Sequence, residues 1–151
     1  MYMPPMVDGA KNLPCACTSL RKAARAVSRL YDEALLPTGL TTPQLAILRD
    51  LGRGGDQALS RLAEAMVMDR TSLYRALGPM IRAGWVRVQP GVKGRTKIAG
   101  LTAEGARVMD AAAPQWEAAQ ARFVGAFGPE AWAMLHDVLQ GVIKSARAAT
   151  A

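Results

Sequence analysis

The sequence has few of the residue types on which catalysis and metal binding depend. It contains one histidine, His136, and two cysteines, Cys15 and Cys17, which are too few ligands for a structural zinc site. No Ser-His-Asp arrangement, phosphate-binding loop or HExxH motif is present. These absences exclude the common enzyme classes, and we expect neither a cofactor, a metal nor catalytic activity.

Long apolar runs are also absent. No stretch approaches the roughly 20 apolar residues that a membrane-spanning helix needs, and the N-terminus lacks the charged start and apolar block of a secretory signal. Hydrophobic residues make up 50% of the 151 positions, which is too high a share for a disordered chain. We therefore expect one folded domain in the cytoplasm, with no membrane partner.

Acidic residues are missing from one long segment. Between Arg70 and Ala103 there are seven Lys and Arg residues and no Asp or Glu, whereas the rest of the chain carries 12 of each sign. The whole net charge of +7 therefore lies in this segment. A local basic field is typical of a phosphate-binding surface. The alternative is a solvated face that binds no partner. The absence of any acid across 34 residues favours the phosphate-binding surface.

Prolines, glycines and capping residues divide the first half of the chain. Residues 1–17 hold three prolines and are predicted to form a flexible tail. A 3.6-residue apolar period predicts a helix directly after this tail, and Thr42 as cap predicts a second helix that ends at Gly52. A turn and a short helix over residues 59–66, with Ser60 as its cap, would follow.

The stretch MDRTSLYRAL begins a longer helix. Asp69 is a good cap, Leu73 and Leu77 lie one turn apart on the apolar side, and Gly84 closes the helix. The sequences WVRVQ and TKIAGL, joined by the turn sequence PGVKGR, predict a β-hairpin. Helix, short helix, longer helix and basic hairpin form, in this order, a winged helix-turn-helix over residues 41–102, in a mainly α (α+β) fold.

This fold gives the basic segment a role in binding double-stranded DNA. The first turns of the helix after Asp69 would enter the major groove, and the hairpin would reach the neighbouring minor groove, which attracts an inserted arginine. Tyr74 would contact a phosphate or a base edge, or else pack against a neighbouring turn. The predicted DNA contacts are Arg70, Thr71, Ser72, Tyr74, Arg75, Lys93, Arg95 and Lys97.

The helices at the two ends of the chain have apolar stripes wider than the central module can cover. These helices occupy residues 18–40 and 103–148, within a single domain over residues 18–148. They would either pack against a second subunit or fold back to complete one monomeric core. We favour a homodimer, because two-fold symmetric proteins bind two-fold symmetric DNA sites.

The chain resembles the MarR family of bacterial transcription regulators over about residues 18–147. The resemblance is carried by GLTTPQLAILRDL, by LSRLAEAMVMDRTSLYRALGPMIRAGWV and by GRTKIAGLTAEG. It implies a homodimer that binds a pseudo-palindromic operator, more often as a repressor. It also implies that small ligands, often aromatic acids, or thiol oxidation alter the affinity for DNA.

The hairpin departs from the pattern of this family at one position. The family usually carries an Asp two residues before the wing arginine, where this sequence has Lys93 before Arg95. The Asp of the family orients the arginine, so its replacement removes a salt-bridge partner and adds a positive charge. We expect a more mobile wing that relies more on general attraction to phosphates.

Two regulatory sites are further expectations. Arg29, Tyr31 and Trp116 are candidates for a ligand pocket between the dimer helices and the winged domain, although aromatic residues at helical spacing are more often part of a core. Cys15 and Cys17 lie at the start of the first helix, where a helix N-terminus lowers the pKa of a thiol. They are either a redox sensor or two incidental small residues.

The sequence thus predicts a sequence-specific DNA-binding transcription regulator, a homodimeric repressor controlled by a small ligand or by thiol oxidation. The alternative is a winged-helix interaction module that binds an acidic protein partner.

Overall fold

The structure is a computed structural model that describes residues 12–151. Over these residues the chain forms six α-helices and one three-stranded antiparallel sheet of order β1-β3-β2, with a short 3-10 turn after the first helix. The helices are α1 (Ala16–Leu35), α2 (Thr42–Gly54), α3 (Leu59–Ala65), α4 (Arg70–Arg82), α5 (Ala103–Phe127) and α6 (Pro129–Thr150). The strands are β1 (Gln57–Ala58), β2 (Val86–Pro90) and β3 (Lys97–Leu101). This is the mainly helical winged helix-turn-helix fold that the sequence predicts.

Helix α1 begins slightly earlier than the sequence predicts. Its first residue is Ala16 rather than Thr18, so Cys17 lies in the helix and not in the predicted tail. Most of that tail, residues 1–11, lies outside the described residues.

Helix α2 is capped by Thr41, and the prediction of Thr42 as the cap is wrong. The Thr41 hydroxyl accepts a hydrogen bond from the backbone N–H of Gln44, and Gln44 Oε1 accepts one from the backbone N–H of Thr41. This reciprocal pair is a capping box. Thr42 is instead the first helical residue, and its hydroxyl donates to Asp32 Oδ1 at 2.7 Å.

Helix α2 also runs past Gly52, which the sequence predicts to be its end. A Cβ atom at Gly52 would lie 3.3 Å from Met109 Cε, so this glycine lets α2 and α5 approach each other. The helix ends instead at Gly54, and the φ of 70° at its cap residue Gly55 favours glycine.

The short strand β1 is absent from the prediction. It consists of two residues that pair with β3, with Gln57 opposite Ala99. The chain passes from β1 directly into α3, whose cap residue Ala58 offers no side-chain hydrogen bond. The predicted cap, Ser60, is the second residue of the helix, and this prediction is therefore wrong.

Helix α4 has the predicted start and end. Asp69 is its cap, and Gly84 follows its last turn with a φ of 77°. The helix is anchored to a core to which α1, α2, α3, β2, β3 and α5 contribute. The most deeply buried large side chains are Leu35, Leu45, Ile47, Leu48, Leu51, Leu62, Leu73, Leu77, Met80 and Val86.

Helix α5 connects the hairpin to the C-terminal helix. The Thr102 hydroxyl accepts a hydrogen bond from the Gly105 N–H and donates one to the Gly84 carbonyl at 2.6 Å, which fixes the start of α5 to the end of α4. The helix continues through Pro114 and ends at Phe127, and Gly128 is its cap residue. Along the part of the chain that the structure describes, no helix has the length and apolar character to cross a membrane.

Candidate nucleic-acid interface

The cap of α4 fixes the orientation of its first turn. Asp69 Oδ1 accepts the backbone N–H of Ser72 at 2.8 Å, and Asp69 Oδ2 accepts the Ser72 hydroxyl at 2.9 Å. These hydrogen bonds hold the pKa of Asp69 below its ordinary value. The Ser72 hydroxyl donates its hydrogen to Asp69. Ser72, a predicted DNA contact, can therefore only accept a hydrogen bond from another partner through this oxygen.

The outer face of α4 carries most of the predicted contacts. Arg70, Thr71, Tyr74 and Arg75 are exposed, whereas Leu73 between them is 1% exposed. The 3.6-residue period separates the two faces, so that donors point outward and leucines point into the core. The helix therefore presents two guanidinium groups, a hydroxyl and a phenol at its N-terminal end.

The wing is the hairpin formed by β2 and β3. Its tip is closed by hydrogen bonds from the Gly91 N–H to the Thr96 carbonyl at 2.6 Å and from the Gly94 N–H to the Gly91 carbonyl at 3.1 Å. Lys93 and Arg95 are exposed at this tip, and Lys97 is the first residue of β3. The structure thus places the three predicted wing contacts on the outside of the hairpin.

A cavity of about 370 Å³ separates α4 from the wing. We call it the junction cavity, and its lining residues are Leu59, Ser60, Arg70, Leu73, Tyr74, Arg95, Thr96 and Lys97. Lys97 Nζ lies 5.4 Å from the centroid of the Tyr74 ring, within the range of a cation–π contact. The cavity brings together four of the predicted contacts, two from α4 and two from the wing.

Of the seven basic residues in the acid-free segment from Arg70 to Ala103, Arg87 alone forms an ion pair within residues 12–151. Its Nη2 lies 2.6 Å from Asp56 Oδ2, and its Nη1 donates to the Leu101 carbonyl at 2.6 Å. Arg87 thus ties β2 to β3 and to the chain just before β1. The charge count of the sequence overstates the free positive charge here, because Asp56 lies outside the acid-free segment.

The three ligand candidates do not meet in one cavity. Arg29 lines an open groove of about 680 Å³ along α1, and Trp116 lines a separate cavity of about 250 Å³ between α2 and α5. Arg49 Cζ lies 3.7 Å from the centroid of the Trp116 ring. Tyr31 is buried, which raises its pKa, and its hydroxyl donates to Gln120 Oε1. In the single chain the three candidates thus lie at different sites, and a shared ligand pocket stays a prediction.

Both cysteines are exposed and unbridged at the start of α1. Cys15 is the cap residue, and the nearby hydroxyl and backbone N–H of Thr18 lower the pKa of its thiol. Cys17 lies in the first turn of the helix. Among residues 12–151, no group of three His, Cys, Asp or Glu side chains has an arrangement that could hold a metal ion.

Comparisons with known proteins agree with this geometry. The model of the MarR family matches residues 40–94, which run from the chain before α2 to the wing tip. The M. tuberculosis transcriptional regulator MosR, solved in complex with DNA, is 34% identical with a TM-score of 0.83, and the alignment covers 90% of this chain and 98% of that one. A search of curated proteins found no match.

Two further solved structures extend the likeness. AbsC, a MarR family transcriptional regulator from Streptomyces coelicolor, is 27% identical with a TM-score of 0.76, over 89% of this chain and 93% of that one. A mutant MarR from E. coli, complexed with operator DNA, shares the fold with a TM-score of 0.75 at 20% identity, over 83% and 91% of the two chains. Members of the family are transcriptional regulators and not enzymes. The chain therefore belongs to the MarR family of transcriptional regulators.

Proposed function

We propose that this protein is a sequence-specific regulator that binds double-stranded DNA, acts as a homodimeric repressor and responds to a small ligand or to thiol oxidation. The observation that carries the proposal is the shared exposure of the N-terminal turns of α4 and of the wing. Both elements present cationic donors, and they flank one cavity that no acidic residue lines.

The dimensions of the two elements fit the grooves of DNA. An α-helix fits the major groove, and the first residues of a recognition helix contact base edges there. Arg75 is exposed one turn into α4. Its guanidinium group could form a bidentate contact to a guanine, which is the commonest specific contact in the major groove. The wing would then lie over the backbone and the neighbouring minor groove, with Lys93 and Arg95 at its tip. The bacterial chromosome would place this activity in the cytoplasm.

Two of the similar proteins support DNA as the partner. MosR and the E. coli MarR mutant were each solved in complex with DNA. MosR covers nearly the whole described chain at 34% identity, so its DNA complex bears on the same elements.

The exposed apolar surface of the terminal helices supports a homodimer. Helix α6 has no buried residue in the single chain, and α1 buries only Tyr31 and Leu35. Met134 and Val138 on α6 are 69% and 60% exposed. A second copy would cover this surface and place two winged domains on a two-fold operator.

The cysteines support a response to oxidants. Cys15 and Cys17 are exposed, and the lowered pKa of Cys15 raises the fraction of reactive thiolate.

The cavity that Trp116 lines between α2 and α5 is the better placed of the two candidate ligand sites, because it lies between a helix of the winged domain and a terminal helix. Repression follows if the operator overlaps a promoter.

Fluorescence anisotropy with labelled duplexes from the region upstream of the gene tests the proposal. The Arg75→Ala variant should lose about 1–3 kcal/mol of binding free energy and discriminate less between the operator and a scrambled duplex. Arg82→Ala is the matched control, because Arg82 is an exposed arginine in the last turn of the same helix. It should change affinity less and leave the specificity ratio intact.

Three results would contradict parts of the proposal. A purified dimer that binds no duplex at low salt contradicts DNA binding. Equal affinity for operator and random duplex favours a protein-interaction module over a sequence-specific regulator. An unchanged operator affinity after peroxide treatment, identical to that of a Cys15→Ser/Cys17→Ser variant, contradicts the response to thiol oxidation.

The dimer has its own test. Val138→Glu places a charge on the exposed apolar face of α6 and should shift the protein from dimer to monomer in light scattering coupled to size exclusion. Gln140→Glu, a neighbouring exposed polar position, is the control and should stay dimeric.

A further inference from the structure

The contact between Tyr74 and Lys97 joins the two elements of the candidate DNA interface. Tyr74 stands on the outer face of α4 and is 47% exposed, so it does not serve the core. The Lys97 ammonium lies 5.4 Å from the centroid of its ring. Lys97 is also the residue at which β3 leaves the wing tip, opposite Pro90 of β2.

We infer that Tyr74 is a positioning residue, whose ring holds the Lys97 ammonium so that α4 and the wing bind one and the same DNA phosphate in the junction cavity. This inference rests on the proposed DNA binding, and it identifies a backbone phosphate as the group that the junction cavity binds. The shared phosphate would fix the spacing between the major-groove contact of α4 and the contact of the wing.

The chemistry of the junction cavity fits a phosphodiester. The guanidinium groups of Arg70 and Arg95 and the ammonium of Lys97 line it, together with the Ser60 hydroxyl. No carboxylate lines the cavity, so its positive charge has no partner there within the described chain. Its volume of about 370 Å³ leaves room for a phosphate group.

The role of the ring follows from the freedom of a lysine side chain. A free lysine samples many rotamers, and fixing it on a ligand costs entropy. An aromatic face attracts the ammonium without consuming its hydrogen-bond donors, so the three N–H groups stay available for phosphate oxygens. Phenylalanine would supply the same face, whereas leucine would supply bulk without the attraction.

A methylphosphonate scan tests the inference. Operator duplexes are made in which one backbone phosphate at a time is replaced by the uncharged methylphosphonate, and their affinity is measured by fluorescence anisotropy. The wild-type protein should lose about tenfold in affinity at one position per half-site, where a charged hydrogen bond is removed. Lys97→Gln and Tyr74→Leu should bind the unmodified operator about fivefold to tenfold more weakly. They should also lose part of the sensitivity to that position, because Arg70 and Arg95 still line the cavity.

The pattern among variants separates positioning from a structural role. Tyr74→Leu/Lys97→Gln should bind no more weakly than the weaker of the two single variants. Tyr74→Phe keeps the aromatic face and should therefore keep the wild-type sensitivity to that methylphosphonate. Lys93→Gln at the wing tip is the matched control, which should weaken binding but keep the sensitivity to the same methylphosphonate.

Additive losses in the double variant, or a Tyr74→Leu variant that keeps the wild-type methylphosphonate profile, would overturn the inference. Wild-type protein that binds the operator specifically but responds to no single methylphosphonate would also overturn it, while leaving the proposed function intact. Wild-type protein without specific binding would overturn both. Circular dichroism of Tyr74→Leu checks that an exposed substitution leaves the fold unchanged.

Discussion

Arg87 and Asp56 form an ion pair directly across the backbone of Gly100 in β3. The Nη2 and Oδ2 atoms are 2.6 Å apart, and both side chains are about half exposed. A Cβ atom at Gly100 would lie 2.4 Å from Asp56 Oδ1 and 2.7 Å from Arg87 Cζ. The missing side chain of Gly100 is therefore what allows the pair to lie flat on the sheet.

Gly100→Ala should break this ion pair. The two side chains are flexible and can move away, so the backbone should survive and the loss should be about 0.5–1 kcal/mol, as expected for a solvent-screened pair. Urea unfolding at a fixed protein concentration measures the loss. In an Arg87→Ala background Gly100→Ala should lower the free energy of unfolding clearly less. An equal loss in both backgrounds would mean that the substitution disturbs strand β3 and not the ion pair.

Gly105→Ala should be far more damaging. A Cβ atom at Gly105 would lie 2.1 Å from the carbonyl oxygen of Trp85, a backbone atom that cannot rotate away. Overpacking of this kind costs about 1–3 kcal/mol or more, and the melting temperature should fall by several degrees. Gly125→Ala in the same helix is the control, because a Cβ there meets nothing within 4 Å. A similar melting temperature for both variants would contradict the close approach of Trp85.

Val67→Asn should stabilise the protein. Val67, in the turn between α3 and α4, has a φ of 54°, a region that β-branched residues rarely adopt. Asparagine tolerates this region, and relief of the strain should add about 1 kcal/mol to the free energy of unfolding. Calorimetry checks this, with Val92→Asn at the exposed wing tip as the control. A lower melting temperature for Val67→Asn would show that contacts of the valine outweigh its backbone strain.

The cap of α4 should make stability depend on pH. Hydrogen bonds from the backbone and the hydroxyl of Ser72 lower the pKa of Asp69 in the folded protein. A lowered pKa means that the carboxylate stabilises the fold above its ordinary pKa of 3.8, and that this contribution is lost as the pH falls through the folded-state value. The stability difference between the wild type and Asp69→Asn should therefore shrink as the pH falls below about 4.

Denaturant unfolding at a series of pH values measures that difference. Ser72→Ala removes one of the two hydrogen bonds and should make the pH dependence weaker without abolishing it. A difference between wild type and Asp69→Asn that stays constant down to acidic pH would contradict the lowered pKa.

The recognition helix could be predicted from the sequence because its determinants are local. Asp69 precedes the helix, Leu73 and Leu77 are one turn apart, and Gly84 follows, so that a short window contains the cap, the buried side and the end. The exposure of Arg70 and Arg75 follows from the same period.

Features that depend on distant residues could not be predicted in this way. Strand β1 has only two residues and is defined by its pairing with β3, so no alternation could reveal it. The sequence indicates a helix end at Gly52, although this glycine lies inside α2 and packs against Met109 from α5. The sequence gives Arg87 no acidic partner, because Asp56 lies in another part of the chain. In each case the contact is long-range and leaves no local pattern.

The length of α5 has a mechanical consequence for the wing. The helix has 25 residues and therefore spans about 37 Å, from the hydrogen bonds that Thr102 makes beside the hairpin to the break at Gly128. A tilt of about 5° about the Gly128 end would displace the wing end by about 3 Å, half the roughly 6 Å width of a minor groove. A small change in the direction of α5 would therefore change the fit of the wing by a distance comparable with the groove itself.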